Sequence, residues 1–272
     1  MNETELLFSE ILNCERLSLY LNKDSHLDKE KSALISSALK RRIDREPLQY
    51  ILGKTEFMGL EFKVDRDVFI PRPETEILVE TALRMATGFK PQASSLNILD
   101  IGTGSGNIAI SLAKFLRGCE IKAVDISGKA LKIAKENAQL NNVSINFLES
   151  DLFDNYNLQS ITYDLIVSNP PYIPTLDINH LQPEIKYEPG IALDGGRDGL
   201  DFYRRLIANS VDYLKEDGLL ILEMGFNQRA SIGNIFQKSG KFEIIEVVKD
   251  YNNIERVIVA RKIWINSLSR VV

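Results

Sequence analysis

The residues best suited to chemistry form the segment Asn-Pro-Pro-Tyr, from Asn169 to Tyr172. It follows an apolar run that predicts a buried strand ending at Asn169, and prolines stop a strand because they cannot donate to its ladder. The side-chain oxygen of Asn169 and the backbone carbonyl of Pro170 then become two fixed acceptors. Such a pair can hold both N–H groups of a planar amide or aromatic amino group, with the ring of Tyr172 lying on it. A proline turn that only ends a strand is the alternative.

A glycine-rich loop lies upstream of this segment. Gly102, Gly104 and Gly106 stand between a predicted strand and a predicted helix, where glycine allows a tight turn and close approach of a ligand. Asp125 ends the next predicted strand, where a carboxylate can accept hydrogen bonds from both ribose hydroxyls. The spacing G-x-G-x-G differs from the dinucleotide pattern, and the charge of Asp100 disfavours a pyrophosphate. We therefore expect S-adenosylmethionine, whose sulfonium and ammonium groups are cationic; a nicotinamide cofactor and a bare structural turn are the alternatives.

Another acidic residue follows the third predicted strand of this region. Asp151 can reach an adenine amino group there, while Leu152 or Phe153 covers the ring. An acidic loop cap is the alternative interpretation of Asp151.

These residues must be positioned by a layered fold, because strands and helices alternate from Asn97 onward. The pattern predicts a mostly parallel sheet with helices on both faces. Only "KDYNN" separates the last two predicted strands, which is too short for a crossover, so the final strand should be antiparallel. The predicted strands are "LNILDI", "CEIKAVDI", "SINFLES", "YDLIVSN", "GLLILEM", "FEIIEVV" and "ERVIVARK".

The chain divides into three predicted parts. Residues 1–54 predict helices over "ETELLFSEIL", "DKEKSALISSALKRRI" and "PLQYILG", residues 55–72 a β-hairpin linker, and residues 73–272 the main domain, which opens with a helix at Pro73. The basic cluster Lys40, Arg41, Arg42 and Arg45 ends the second helix. It is either a solvated helix end or a patch that docks a partner.

Composition narrows the classes of partner. The chain of 272 residues has a formal net charge of −5, whereas proteins that bind nucleic acid through phosphates usually carry a basic surplus. Two cysteines and two histidines, at no ligand-like spacing, disfavour a metal site. No signal peptide or membrane span is visible. We expect a cytoplasmic monomer without nucleic-acid or membrane partners.

Several segments together resemble one family, the release factor glutamine methyltransferases (the HemK/PrmC family). They are "REPLQYILGKTEFMGLEFKV", "IPRPETE", "LDIGTGSGNIAI", "AVDIS", "SNPPYIP", "YEPGIALDGGRDGLDFY" and "LEMG". The resemblance implies an α/β, Rossmann-like class I S-adenosylmethionine-dependent methyltransferase fold. Its mostly parallel seven-stranded sheet has an antiparallel last strand, and a small N-terminal helical domain docks the substrate. That helical domain looks shorter at its front than is common in the family.

The family methylates the side-chain amide nitrogen (N5) of the glutamine in the Gly-Gly-Gln tripeptide of peptide chain release factors. The resemblance therefore implies substrate contacts at Asn169, Pro170, Pro171 and Tyr172, with Asn169, Pro170 and Tyr172 catalytic. With Asp151 added from its position, the expected cofactor-binding residues are Gly102, Thr103, Gly104, Ser105, Gly106, Asp125, Asp151, Leu152 and Asn169. An amino methyltransferase acting on nucleic acid (adenine N6 or guanine N2) and a cofactor-binding protein without activity are the other classes left open.

Overall fold

The N-terminal part of the chain is a small group of helices. A computed structural model describes residues 2–21, 26–89, 96–159 and 161–263; the predicted ends of the domains at residues 1 and 264–272 lie outside them. The described residues of this part form the helices α1 (Glu3–Leu12), α2 (Arg16–Leu21), α3 (Lys29–Ile43) and α4 (Leu48–Leu52). Leu7, Ala38 and Leu48 form their shared core. The sequence did not predict α2, because its six residues are too few for a helical period and none of them is buried.

A short hairpin joins these helices to the main domain. Strands β1 (Lys54–Phe57) and β2 (Leu60–Lys63) pair antiparallel. The turn uses Met58 and Gly59, both with positive φ. The predicted hairpin extended to residue 70, but the paired strands end at Lys63, and the chain beyond it packs as an irregular segment against the main domain.

The main domain is an α/β sheet domain, as predicted. Among the described residues its sheet has seven strands in the order β5-β4-β3-β6-β7-β9-β8. Its elements are α5 (Pro73–Phe89), β3 (Leu96–Ile101), α6 (Asn107–Phe115), β4 (Cys119–Asp125), α7 (Gly128–Leu140), β5 (Asn146–Glu149), β6 (Tyr163–Ser168), α8 (Asp201–Tyr213), β7 (Leu214–Glu223), α9 (Arg229–Ser239), β8 (Phe242–Lys249) and β9 (Glu255–Lys262).

The last strand is antiparallel, which confirms the prediction from the short connection before it. Strand β9 inserts between β7 and β8 and runs antiparallel to both, while the pairs among β3 to β7 are parallel. Two apolar clusters cover the two faces of the sheet, as expected when helices pack on both sides. The sequence did not reveal this insertion, because a connection's length fixes a strand's direction and not its neighbours.

Three parallel strands bring the predicted site residues to one edge of the sheet. Strand β3 leads into the glycine loop, β4 ends at Asp125, and β6 ends at Ser168, one residue earlier than predicted. Because these strands are parallel, their carboxyl ends meet at the same edge, where open α/β sheets bind ligands. Residues 169–200, a long connection with short 3₁₀ turns, run over this edge before α8 begins.

Candidate active site

A cavity of about 460 Å³ opens at the carboxyl edge of β3, β4 and β6. The structure brings nearly all the sequence-predicted site residues into its wall. These residues are Gly102, Thr103, Gly104, Ser105, Asp125, Asp151, Leu152, Asn169, Pro170, Pro171 and Tyr172. Gly106 is not among the described residues that line the cavity.

The glycine loop is shaped to leave open space beside its backbone. Gly102 and Gly104 have left-handed φ angles of 73° and 54°, and a Cβ added at either would meet no atom within 4 Å. The amides of Gly102 and Thr103 both donate to the carbonyl of Val124 at 2.9 Å, which fixes the loop to strand β4. Glycine here supplies the conformation while the cavity stays open on its ligand side.

Gly106 has a different role from the other two glycines. A Cβ at this position would lie 2.8 Å from Cδ1 of Ile110 and 3.2 Å from Cβ of Ala134, on helices α6 and α7. Gly106 also has a left-handed φ of 85° and precedes the first residue of α6. Its lack of a side chain therefore allows α6 and α7 to pack closely beside the loop.

Asp125 connects the end of β4 to the glycine loop. Its Oδ2 accepts a hydrogen bond from the amide of Gly104 at 2.8 Å, and its Oδ1 accepts one from the amide of Ser127 at 2.9 Å. Burial raises the pKa of this carboxyl, and the backbone donors oppose that rise. Each carboxylate oxygen can accept more than one hydrogen bond, so Asp125 can hold the loop and still accept from a ligand.

Asp100 does not supply the cavity charge that the sequence suggested. Its side chain is completely buried beneath the loop, and Oδ2 accepts a hydrogen bond from the Thr103 hydroxyl at 2.6 Å. Burial raises the pKa of this carboxyl to about 7, above its ordinary value of 3.8. Asp100 is not among the described cavity-lining residues. Asp100 therefore supports the glycine loop from the protein interior.

The segment after β5 presents an acidic and an apolar residue to the cavity. Asp151 forms an ion pair with Arg205 of α8 at 2.9 Å. Leu152 is buried against the cavity wall in the left-handed region, with a φ of 54°, which is uncommon for a bulky residue. Phe153 instead stacks on the ring of Tyr213 with centroids 4.6 Å apart. Of the two residues expected to cover an adenine ring, only Leu152 lines the cavity.

Asn169 is anchored by a residue of the first turn of α5. Its Nδ2 donates to Oγ1 of Thr75 at 3.0 Å. Glu223, at the end of β7, also lines the cavity and is 2% exposed. Burial raises its pKa to about 7, while the Thr75 hydroxyl, the Arg256 guanidinium and the Asn169 amide lower it.

Two glycines of the segment "DGGRDG" lie against the backbone of Pro171 and Tyr172. An added Cβ at Gly195 would lie 2.8 Å from Cα of Tyr172 and 2.9 Å from the carbonyl oxygen of Pro171, and one at Gly199 would overlap the Tyr172 carbonyl. That carbonyl accepts a hydrogen bond from Nε2 of Gln228 at 3.0 Å. The glycines of "DGGRDG" therefore let a second backbone lie directly against the Asn-Pro-Pro-Tyr loop.

The basic cluster at the end of α3 is engaged within the chain. Glu184, in the long connection over the sheet edge, pairs with Arg45 at 2.9 Å and with Arg42 at 3.3 Å. The Tyr187 hydroxyl donates to the carbonyl of Asp44 at 2.7 Å. We call these five residues the domain joint. Arg42 and Arg45 are thus both paired within the chain, while the Arg45 side chain remains 57% exposed, so the choice between a solvated helix end and a docking patch stays a prediction.

A buried carboxylate reinforces the helical domain beside the domain joint. Glu46 pairs with Arg41 at 2.8 Å and with Arg66 at 2.9 Å. The Arg41 hydrogen bonds hold the pKa of Glu46 down to about 2, and those from Arg66 add to the effect. Arg66 also lies 5.0 Å from the ring centroid of Tyr187. Arg41 is thus also paired, so three of the four cluster residues have partners in the chain.

Sequence reasoning missed Thr75, Glu188 and Glu223. Glu188 is buried, accepts from the amide of Ile70 at 3.2 Å and pairs with Arg72, which ties residues 70–72 to the long connection. A glutamate inside the apolar run "LLILEM" was the signal for Glu223, since an acid in a buried strand is uncommon. Thr75 offered no comparable signal, because a threonine in a first helical turn is ordinary.

The described residues lack two further kinds of feature, metal-binding clusters and membrane-spanning helices. No group of three or more His, Cys, Asp or Glu side chains there is arranged to hold a metal ion. No helix in the same ranges is both long and apolar enough to cross a membrane.

Comparisons with known proteins show which family the chain belongs to. Residues 1–53 match the model of the PrmC N-terminal domain, and residues 75–182 match that of the methyltransferase small domain. The chain is 44% identical to the release factor glutamine methyltransferase of Geobacter sulfurreducens over 260 residues, covering 95% of this chain and 88% of that protein. The chain belongs to the release factor glutamine methyltransferase family. A second member, from Thermodesulfovibrio yellowstonii, is 42% identical and covers 96% of this chain and 92% of its own length.

Solved structures agree with the fold. A methyltransferase from Pyrococcus furiosus aligns with a TM-score of 0.57 at 18% identity, covering 87% of this chain and all of that one. A ribosomal protein L11 methylase from Lactobacillus delbrueckii subsp. bulgaricus aligns with a TM-score of 0.53 at 21% identity, covering 74% of this chain and 84% of that one. At these identities the likeness shows the methyltransferase fold alone.

Proposed function

We propose that the protein transfers a methyl group from S-adenosylmethionine to the side-chain amide nitrogen (N5) of the glutamine in the Gly-Gly-Gln motif of peptide chain release factors. One observation carries the proposal: Asn169, held by Thr75, lines the same cavity as the glycine loop and Asp125. A paired acceptor for an amide thus lies beside a cofactor cradle. Membership of the release factor glutamine methyltransferase family supports the choice of substrate.

The residues of the cavity fit S-adenosylmethionine. Gly102 and Gly104 leave open space beside their backbone, so the amino-acid part of the cofactor can approach the loop. Asp125 offers a carboxylate for ribose hydroxyls. Leu152 offers an apolar surface for the adenine ring, and Asp151 can accept a hydrogen bond from the adenine amino group. When bound, the cofactor supplies a methyl group on a positively charged sulfur.

The catalytic loop prepares a poor nucleophile. An amide nitrogen is weakly nucleophilic because its lone pair is delocalised. Methyl transfer would break the sulfur–methyl bond of the cofactor, form one N–C bond and leave one proton on the nitrogen to be lost to solvent afterwards. Oδ1 of Asn169 and the carbonyl of Pro170 accept the two N–H donors, which orients the nitrogen and draws electron density toward it. The Tyr172 ring packs on the planar group and excludes water. Pro171 keeps the loop stiff.

Selection of the substrate is assigned to the helical domain. We divide the chain into residues 1–54, which dock the substrate, the hairpin linker 55–72, and the methyltransferase domain 73–272. Large apolar side chains are exposed on the helices, including Leu21 at 73% and Ile43 at 79%. An exposed apolar surface of this kind is typical of protein–protein contact. Because release factors act in translation, we place the protein in the cytoplasm, as a monomer.

A transfer assay tests the proposal. The full chain is incubated with S-adenosylmethionine carrying a labelled methyl group and, separately, with a release factor, a short Gly-Gly-Gln peptide or duplex DNA. We expect label on the release factor, little on the peptide because it lacks the docking surface, and none on DNA. Label on DNA would instead support a nucleic-acid amino methyltransferase, the alternative that shares the Asn-Pro-Pro-Tyr loop.

A further inference from the structure

An asparagine side chain can serve as an acceptor only when its oxygen faces the substrate. The oxygen and nitrogen of the amide have nearly the same shape, so a half-turn about the last torsion exchanges acceptor and donor. If Asn169 turned its Nδ2 to the cavity, it would meet the N–H of a substrate amide donor to donor. The site therefore needs something that keeps the amide in one orientation.

We propose that Thr75 and Glu223 are positioning residues that fix the Asn169 amide with Oδ1 toward the cavity. This inference rests on the proposed function, since it assigns Asn169 the role of acceptor. Thr75 is 2% exposed and its Oγ1 lies 3.0 Å from Nδ2 of Asn169. The contact fixes where the amide nitrogen sits, at the Thr75 hydroxyl.

Thr75 alone does not decide the orientation, because a hydroxyl both donates and accepts. Glu223 can determine which way the hydroxyl hydrogen of Thr75 points. Its buried side chain lines the same cavity as Thr75 and Asn169, and both residues lower its pKa against the effect of burial. Above its pKa of about 7 the carboxylate is mostly ionised and only accepts, so it would draw the single hydroxyl proton of Thr75 and leave the hydroxyl oxygen to accept from Asn169. A reversed amide would turn Oδ1 toward this negative charge.

The surroundings of Glu223 point to a purpose beyond stability. It ends a strand whose preceding residues, Leu219 to Leu222, are buried and apolar, and its Oε2 has no hydrogen-bond partner among the described residues. Burying such a group is costly, and an apolar residue of similar volume would often be more stabilising. A side chain kept despite that cost, in the wall of the cavity and beside Asn169, fits a role in the site.

Thr75→Val tests the inference with little change of shape. Valine keeps the volume but removes the acceptor, so the Asn169 amide loses its fixed orientation. We expect the single-turnover rate on a release factor to fall roughly 10- to 100-fold, less than for loss of Asn169 itself, with the affinity for S-adenosylmethionine changed by less than about twofold. Thr75→Ser keeps the hydroxyl and should retain most of the rate. Glu223→Gln introduces an amide that can donate as well as accept, so it no longer forces the Thr75 hydroxyl to donate. We expect it to lower the rate roughly tenfold.

Thr81→Val is the matched control, because Thr81 is also buried on α5 and the same substitution there should leave the rate near that of the wild type. A second readout does not use activity: the side-chain ¹⁵N–¹H resonances of Asn169 should shift in Thr75→Val and stay close to wild type in Thr81→Val. The inference is overturned if Thr75→Val turns over normally, or if Thr75→Ser and Thr81→Val lose as much rate. A wild-type protein inactive on release factors would instead refute the proposed function.

Discussion

Asn169 and Thr75 lie 94 residues apart in the chain, yet the amide nitrogen of one donates to the hydroxyl of the other at 3.0 Å. The contact joins the residue that follows β6 to the first turn of α5, so this turn supports the Asn-Pro-Pro-Tyr loop. Within the same turn, Glu76 accepts from the amide of Met58 at 2.6 Å and thereby holds the hairpin turn. The first turn of α5 therefore holds both the Asn-Pro-Pro-Tyr loop and the hairpin turn.

Replacing Asn169 tests whether its side-chain oxygen orients the substrate amide. Asn169→Ala leaves one N–H of the substrate amide without its fixed partner, and loss of one preorganised group typically lowers the rate by roughly 10²–10³. We expect that fall in the single-turnover rate, with a much smaller fall in cofactor affinity measured by calorimetry. Asn146→Ala, at an exposed position of β5, is the control and should behave as wild type. A near wild-type rate for Asn169→Ala would refute the role.

Asp125 is expected to control cofactor affinity. Asp125→Ala removes the carboxylate that faces the cavity and also frees the amide of Gly104. Hydrogen bonds to a charged group contribute on the order of 1.5–3 kcal/mol, so the dissociation constant for S-adenosylmethionine should rise roughly 10- to 150-fold. Calorimetry measures this affinity, and Asp212→Ala, at an exposed position of α8, is the control. Unchanged affinity in Asp125→Ala, or tight binding of NAD by the wild type, would contradict the assignment.

Close backbone packing at Gly195 predicts a sensitive position outside the predicted site. A methyl group at Gly195 must displace the backbone of Pro171 or Tyr172, so Gly195→Ala should lower the single-turnover rate at least about tenfold, since small misplacements at a reacting centre are costly. Gly190→Ala is a matched control in the same connection, because a Cβ there meets no atom within 4 Å. Equal rates in the two variants would show that the loop tolerates the shift.

Glu46 predicts a pH-dependent contribution to stability. Its folded pKa of about 2 lies below the ordinary 4.5, so the stabilisation is present above pH 4.5 and is lost as the pH falls toward 2. Because Arg41 and Arg66 are partly exposed, solvent screening reduces the effect to about 1–2 kcal/mol at pH 7. Urea unfolding should find Glu46→Gln less stable by that amount at pH 7, with a smaller deficit at pH 3.

Glu56→Gln, an exposed glutamate of β1, is the control for this measurement and should match the wild type at both values of pH. A deficit for Glu46→Gln that stays constant between pH 7 and pH 3 would mean that ionisation of Glu46 is not its source.

Local patterns predicted the parts of the fold that depend on neighbouring residues. Alternating strands and helices gave the sheet, and the glycine and proline positions gave both loops, because backbone restrictions act over a few residues. The partners of Asn169 came from α5 and β7, which no local pattern connects to it. Arg42 illustrates the same limit: its basic helix end is equally compatible with water and with Glu184, and only the folded chain distinguishes them.

The location of the transferred methyl group tests the central claim most directly. A release factor is treated with the full chain and S-adenosylmethionine, digested, and analysed by tandem mass spectrometry beside a sample treated with Asn169→Ala. We predict one added methyl group on the side-chain amide nitrogen of the Gly-Gly-Gln glutamine, present with the wild type and strongly reduced with the variant. A methyl group on any other residue, or an unmodified release factor under conditions where the protein binds the cofactor, would contradict the account.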